Sequence, residues 1–300
     1  MSKTKLDTGF SGKAVMESIG RVQGKVVLIT GGARGQGRSH AVLLAEEGAD
    51  VILFDICEDI DTNDYPLARP HDLDEAKLEV EKTGRRAVTA QVDVRDRAAL
   101  TAALDTAVAE FGGTLDVVIA NAGICPLGTA KPIDAFADAF DVDFVGVVNT
   151  VHAALPYLKG GASIIATGSV AGLIAAGNPT VGPVGPGGAG YNLAKQMVDA
   201  YTKQLAAQLA PLSIRANIVH PTNCNTDMLN SDPMFRIFRP DLTAPTREDA
   251  LLAFPAMQAM PVPYVEPLDV SNVICFLASD ESRYITGNQF RVDAGAMLKH

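Results

Sequence analysis

The chain has 300 residues, 47% of them hydrophobic and 20% charged, with a formal net charge of −10 at pH 7. That length and apolar content suit one large α/β domain or two small ones, and the acidic balance argues against a nucleic-acid or anionic-membrane partner. No apolar run reaches the roughly twenty residues of a membrane span, and Cys57, Cys125, Cys224 and Cys275 are too scattered for a zinc site or a disulfide framework, so reduced thiols in a cytoplasmic protein are expected.

Residues 1 to 20 are polar and glycine-dotted, without the apolar core of a secretory leader. They are expected to form a flexible arm, or sequence upstream of a start at Met16, ahead of a domain spanning residues 21 to 300. Lys25 to Thr30 is an apolar run of strand length that breaks into Gly31-Gly-Ala-Arg34-Gly35-Gln36-Gly37. A helical pattern follows from Ser39 to Glu47, then a second strand-like run from Asp50 to Asp55. Strand, glycine turn, helix and strand within about thirty residues make a dinucleotide-binding βαβ unit. Glycines let the backbone approach a pyrophosphate, whose charge rests on the exposed N–H groups and positive end of the helix. Asp55 is placed to accept hydrogen bonds from the adenosine ribose hydroxyls. Its carboxylate would repel a 2′-phosphate, which favours NAD over NADP.

His40 occupies the third position of a G-x-G-x-x-G pattern, which therefore fails, whereas Thr30, Gly31, Gly35 and Gly37 fit T-G-x-x-x-G-x-G. That spacing resembles the short-chain dehydrogenase/reductase family. The resemblance implies cofactor contacts from Gly31, Arg34, Gly35, Gln36 and Gly37, and from Asp55 and Ile56 after the second strand. A basic residue at the Arg34 position often accompanies NADP; phosphate repulsion at Asp55 acts directly at the ribose and carries more weight.

Ile56 to Asp72 is a polar, acidic, proline-containing stretch that a minimal family member would lack. It reads as a solvated surface loop or as a flap over the adenosine end of a bound dinucleotide, with a helix starting near Asp72. Arg86 to Val92 is the third strand, ending in Asp93-Val94, where the family contacts adenine. After an amphipathic helix from Ala98 to Phe111, Leu115 to Ala120 forms the fourth strand. It ends in Asn121-Ala122-Gly123, a second family signature, beside the nicotinamide ribose.

Asp134 to Lys159 reads as one long helical stretch. Where the family carries V-N-x-x-G, this chain has Val142-Asp143-Phe-Val-Gly146, so the usual active-site asparagine is Asp143. In the family that position holds a helix kink and a water through which the catalytic lysine exchanges protons; an aspartate adds a charge beside the lysine. Ala162 to Thr167 is the fifth strand, delivering Gly168-Ser169-Val-Ala-Gly172, which resembles the family's serine segment. Ala176 to Gly190 is Gly/Pro-rich and reads as irregular chain at the active-site mouth. Tyr191-Asn-Leu-Ala-Lys195 follows on a helix, and i,i+4 spacing puts the phenol and the ammonium on one face. A free tyrosine has a pKa of about 10, which a neighbouring cation lowers. The resemblance implies Ser169, Tyr191 and Lys195 as the catalytic set. Ser169 and Tyr191 would touch substrate, and Tyr191 and Lys195 the cofactor.

Ser213 to Val219 is the sixth strand, followed by Pro221-Thr222 in place of the family's Pro-Gly. Thr226 stands where a family threonine binds the nicotinamide carboxamide. Residues 222 to 265 correspond to the substrate-covering region, and Met228, Met234, Phe238, Phe254 and Met257 suggest a pliable apolar pocket with Met228 touching substrate. Leu268 to Ser279 is the last helix and Gly287 to Asp293 the seventh strand.

The resemblance covers residues 21 to 300. It implies a single doubly wound, Rossmann-like α/β domain with a seven-stranded parallel sheet in the order 3-2-1-4-5-6-7 and helices on both faces. It also implies a homotetramer, no metal, and hydride transfer between NAD and a secondary alcohol or ketone. The glycine turn, the acidic insertion and the Pro-Thr-Asn segment resemble an actinobacterial subgroup described as carveol dehydrogenase-like or mycofactocin-coupled. That points to a hydrophobic, terpenoid-like cyclic alcohol or a steroid, a non-exchanging NAD, and an external electron carrier. The alternatives are a non-catalytic NAD-binding or redox-sensing protein, and a nucleotide-sugar epimerase or dehydratase; the latter would need more chain after the sixth strand.

Overall fold

The computed structural model describes residues 20–174 and 184–299. The expected N-terminal arm therefore lies outside the described residues, except for Gly20. Strand β1 (Val26–Thr30) is buried along its whole length and leads into helix α1 (Gly35–Glu46), which starts four residues earlier than the apolar pattern indicated. Then come β2 (Asp50–Asp55), α2 (Pro70–Lys82), β3 (Ala87–Gln91), α3 (Arg97–Ala109) and β4 (Leu115–Ala120). Helices α4 (Asp134–Phe140) and α5 (Gly146–Ala154) precede β5 (Leu158–Thr167), the 25-residue α6 (Gly185–Leu209) and β6 (Arg215–Pro221). Short helices α7 (Asp232–Phe238) and α8 (Arg247–Ala253), then α9 (Pro267–Ala278) and β7 (Gln289–Val292), complete the fold.

The strands form one sheet in the order β3-β2-β1-β4-β5-β6-β7, and every adjacent pair is parallel. Both faces are covered, which is why the strands read as continuous apolar runs. Side chains alternate in β1: Val27 and Ile29 join the core under α1 and α9, while Val26 and Leu28 join the core under α3, α5 and α6. The result is a single doubly wound Rossmann-like domain.

Residues 134 to 157 follow one continuous helical path, in which a π turn at Asp141–Val145 joins α4 to α5 at the position where the family resemblance implied a kink; the expected helix ends two residues early, because β5 begins at Leu158. The extra residue of the π turn rotates Asp143 inward, where a regular helix would have continued its face. One expectation is corrected. The Gly/Pro-rich stretch is not irregular throughout, because its last six residues form the first turns of α6; residues 175–183 lie outside the described residues. Glycine serves close packing there. A Cβ on Gly187 would fall 2.0 Å from the Pro126 carbonyl oxygen, and one on Gly190 would fall 2.4 Å from that of Phe136.

Helices α1 and α9 meet through a buried polar contact, His40 Nδ1 lying 2.7 Å from Ser271 Oγ. Burial pushes the His40 pKa down to about 3, so the folded protein holds the ring neutral while the unfolded chain protonates near pH 6.5. Stability from this group is present above the unfolded value and is lost as pH falls. Chemical denaturation should show a loss of about 2 kcal/mol between pH 7 and pH 5 attributable to His40, and His40→Gln should flatten that slope.

Candidate active site

Because all seven strands are parallel, their carboxyl ends share one edge, and the chain there forms a cavity of about 450 Å³. Gly31, Arg34, Gly35 and Gln36 line it from the glycine turn, Asp55 and Ile56 from the end of β2, and Asp93 and Val94 from the end of β3. Asn121, Ala122 and Gly123 follow β4, Ser169 follows β5, and Pro221, Thr222, Thr226 and Met228 follow β6. Tyr191 and Lys195 reach it from α6 and Asp143 from the π turn. Gly37 supports the turn from beneath, since a Cβ there would fall 2.0 Å from the Gly31 carbonyl oxygen.

The first turn of α1 carries no acidic residue and no side-chain cap, so its free N–H groups face the glycine turn as an anion seat. Gln36 Oε1 and Asn223 Nδ2 are buried without a hydrogen-bond partner among the described residues. The Asp55 carboxylate accepts from Ala33 N–H (3.0 Å) and Cys57 N–H (3.2 Å), while burial raises its pKa above the ordinary carboxylate value. Arg34 is committed elsewhere, pairing with Asp227 at 3.0 Å and donating to the Pro66 carbonyl at 2.6 Å. Thr226 places its methyl against Gly35, so its position is beside the glycine turn. Thr222 is buried and accepts from Gln258 Nε2 at 3.2 Å. Asp93 holds Arg95 in an ion pair of 2.7 Å, and Val94 packs against Gly146.

Asn121 ties the edge together. Its Nδ2 donates to the carbonyls of Thr30 (3.1 Å) and Gly31 (3.3 Å), and its Oδ1 accepts from Thr167 Oγ1 at 3.2 Å. Beyond β5, Ser169 is extended and its Oγ accepts from Ala171 N–H at 3.1 Å. Its backbone is held by His220 Nδ1, 3.2 Å from the Ser169 N–H and 3.0 Å from its carbonyl, on a fully buried ring at the end of β6. Gly168 is required by this contact: a Cβ there would meet His220 Nδ1 at 2.5 Å.

Burial raises the Tyr191 phenol well above the ordinary value, with Cys125 and Asp143 adding to the rise and Ser169 opposing it. Lys195 Nζ lies 5.5 Å from the Tyr191 ring centroid and donates to the Thr167 carbonyl at 3.0 Å. Asp143 Oδ1 lies 2.9 Å from the same Nζ, and Oδ2 accepts from Ile124 N–H at 3.0 Å. The Oδ1 contact is ionic, without the alignment of a hydrogen bond. Burial raises the Asp143 carboxyl, against the opposing pull of Lys195 and Ile124 N–H.

A family model described as enoyl-(acyl carrier protein) reductase matches residues 31–297. The (−)-trans-carveol dehydrogenase of Rhodococcus erythropolis is 45% identical over 93% of this chain and 99% of its own length. A 3-alpha-(or 20-beta)-hydroxysteroid dehydrogenase of Mycobacterium tuberculosis is 34% identical over 93% of this chain and 91% of its own. The chain belongs to the short-chain dehydrogenase/reductase family. Among solved structures of that family, a carveol dehydrogenase from Mycobacterium avium in complex with NAD superposes with a TM-score of 0.86 at 44% identity, covering 93% of this chain and 99% of that one.

Within this short-chain dehydrogenase/reductase fold, the insertion after β2 corrects the reading as a solvated loop. Ile60, Tyr65, Leu67 and Ala68 are buried, and the first three form an apolar cluster with Val94, Ile124 and Val142, against which Met228 packs. Asp59, Asp61 and Asp64 face outward, while the buried Thr62 donates to Asp138 at 2.8 Å and its carbonyl accepts from Lys131 at 2.6 Å. Tyr65, Ile124, Cys125 and Asn223 line the cavity without having been singled out from sequence. The alternation of Ile60, Tyr65 and Leu67 within the acidic run was the available signal. Tyr65 Oη accepts from Cys125 N–H at 3.1 Å, joining insertion to cavity wall. Tyr65→Phe removes that acceptor from a buried N–H. It should cost about 1–3 kcal/mol locally and raise hydrogen exchange across residues 56–69 and at Cys125.

Proposed function

We propose that this chain is an NAD-dependent oxidoreductase that interconverts a hydrophobic, cyclic secondary alcohol and its ketone. The observation that carries the reading is the convergence of Ser169, Tyr191 and Lys195 on one cavity that also holds an uncapped helix N-terminus and the Asp55 carboxylate. The residues present fit a dinucleotide. The N–H groups of the glycine turn and α1 receive the pyrophosphate, Asp55 the adenosine ribose, and Asp93 and Val94 flank the adenine. Lys195, Asn121 to Gly123 and the Pro221 to Thr226 segment hold the nicotinamide half. Bound NAD supplies a hydride acceptor, or in reduced form a donor, at the nicotinamide ring. In the oxidation direction Ser169 holds the alcohol oxygen and Tyr191 takes its hydroxyl proton, while Lys195 stabilises the phenolate and binds ribose hydroxyls.

Asp55 disfavours a 2′-phosphate by charge, and Arg34 is already paired with Asp227 and Pro66, so the site selects NAD. Removing the carboxylate in Asp55→Ala should lower the NAD over NADP preference in kcat/KM at least about tenfold. For the substrate, the carveol dehydrogenase relatives and the apolar residues Leu229, Met234, Phe238 and Met257 around the cavity mouth support a terpenoid-like alcohol. The hydroxysteroid dehydrogenase relative supports a steroid alcohol with freely exchanging NAD as the second reading.

The insertion meets residues 222 to 265 at the cavity, where Met228 packs on the cluster of Ile60, Tyr65 and Leu67 and Arg34 joins the Pro66 carbonyl to Asp227, which favours slow release of NAD and transfer of electrons to an external carrier. Exposed Leu193 and Met197 on α6 suit a homotetramer. Among the described residues no helix is long and apolar enough to cross a membrane, and no group of three or more side chains is arranged to hold a metal ion.

The test is an absorbance spectrum of freshly purified protein given a cyclic secondary alcohol, without and then with free NAD. One equivalent of reduced nicotinamide that forms and stops, with free NAD unused, is the expected result. Continuous turnover of free NAD would sink the trapped cofactor and leave the steroid-type reading. Tyr191→Phe should abolish turnover while retaining NAD, which excludes a non-catalytic binder.

A further inference from the structure

We infer that Asp143 is a positioning residue for charge: its carboxylate, pressed against Lys195 from the π turn, cancels much of the ammonium's field at Tyr191 and raises the pH at which the phenol works as a base. The inference rests on the reading of Tyr191 as the proton-transfer group.

Asp143 is fully buried and Lys195 is 3% exposed, so water does little to screen the pair. One carboxylate oxygen is fixed by Ile124 N–H at 3.0 Å and the other lies 2.9 Å from Nζ. The Thr167 carbonyl takes a further ammonium proton at 3.0 Å. The pair therefore presents Tyr191 with a short dipole in place of a lone cation. A dipole's field falls off more steeply with distance than a single charge's, and at low dielectric that difference is large. An asparagine at position 143 would accept from Ile124 N–H equally well and leave the lysine charge uncompensated.

The wall around the pair holds it close. A Cβ on Gly123 would fall 2.5 Å from Asp143 Oδ1 and 3.5 Å from Lys195 Nζ, so the backbone after β4 leaves no room for a side chain on that side. The other titratable groups facing the pair are Cys125 after β4, Tyr65 from the insertion and Tyr191 from α6, with His220 behind Ser169. Burial holds the Cys125 thiol and the Tyr65 phenol well above their ordinary pKa values and the His220 ring below its own, so all three are neutral. Asp143 is then the charge that opposes Lys195, and it is among the causes that raise the Tyr191 phenol.

The experiment compares the pH dependence of alcohol-driven NAD reduction in the wild type and Asp143→Asn, with a phenolate difference titration of each referenced to Tyr191→Phe. Asp143→Asn should reach half-maximal rate about one pH unit or more below the wild type, with a roughly tenfold gain at neutral pH. An unchanged or raised midpoint overturns the inference, and is what a protonated, uncharged Asp143 would give. Should Asp143→Asn not fold, Asp143→Ser decides: a Tyr191-dependent phenolate midpoint below that of the wild type supports the inference and an unchanged or higher one overturns it. Absence of NAD reduction by the wild type at every pH would instead remove the oxidoreductase reading, while the phenolate titrations would still report on the pair.

Discussion

Parallel pairing is the constraint from which the rest of this molecule follows. A parallel sheet needs a crossover between every pair of strands, and the crossovers here cover both faces with helices. Neither face can then hold polar chemistry, since both are packed with apolar side chains. Only the strand ends remain. The carboxyl edge collects the segments after β1 through β6, and each contributes part of the site: the glycine turn, Asp55, Asp93, Asn121 to Gly123, Ser169 and the Pro221 segment.

Precision at that edge comes from backbone brought closer than side chains would permit. Gly31 and Gly37 nest against each other, Gly123 abuts Asp143, and Gly168 abuts His220. Asn121 then locks the ends of β1 and β5 to β4 with its one carboxamide. The backbone of Ser169 is held by a buried histidine from the neighbouring strand. These contacts fix positions before any ligand arrives, which is the condition for a rigid catalytic set.

Charge is arranged with equal economy. The buried cation Lys195 is matched by the buried Asp143, and Arg34, at the turn where an NADP phosphate would need a cation, is spent on Asp227 and the Pro66 carbonyl. The insertion after β2 buries its apolar residues into a cluster with Met228 from the region after β6, so two segments distant in sequence close over one end of the cavity. A polar exterior with apolar residues at positions 60, 65, 67 and 68 is what lets an acidic segment do this.

Much of this was legible in order and spacing. The strand runs, the glycine spacing, N-A-G, the serine segment and Y-x-x-x-K are local patterns; they carry the strand positions and the family resemblance, and it is the resemblance that implied the strand order and the proposed catalytic residues. Less legible were features made by contact. The π turn at Asp141–Val145 leaves no mark in a helical periodicity, and the glycines of 185–190 looked like breakers because their neighbours, Pro126 and Phe136, are far away in sequence. Tyr65 and Cys125 are separated by sixty residues and meet only in the folded state. By itself, then, the sequence determined the strand positions, the dinucleotide turn and the spacing of Tyr191 and Lys195 on one helix, because these depend on neighbours along the chain, and through the family resemblance it implied the sheet order. Tertiary structure alone decided that Asp143 pairs with Lys195, that Arg34 is occupied and that the insertion turns inward, because burial and Coulomb interaction depend on distance through space.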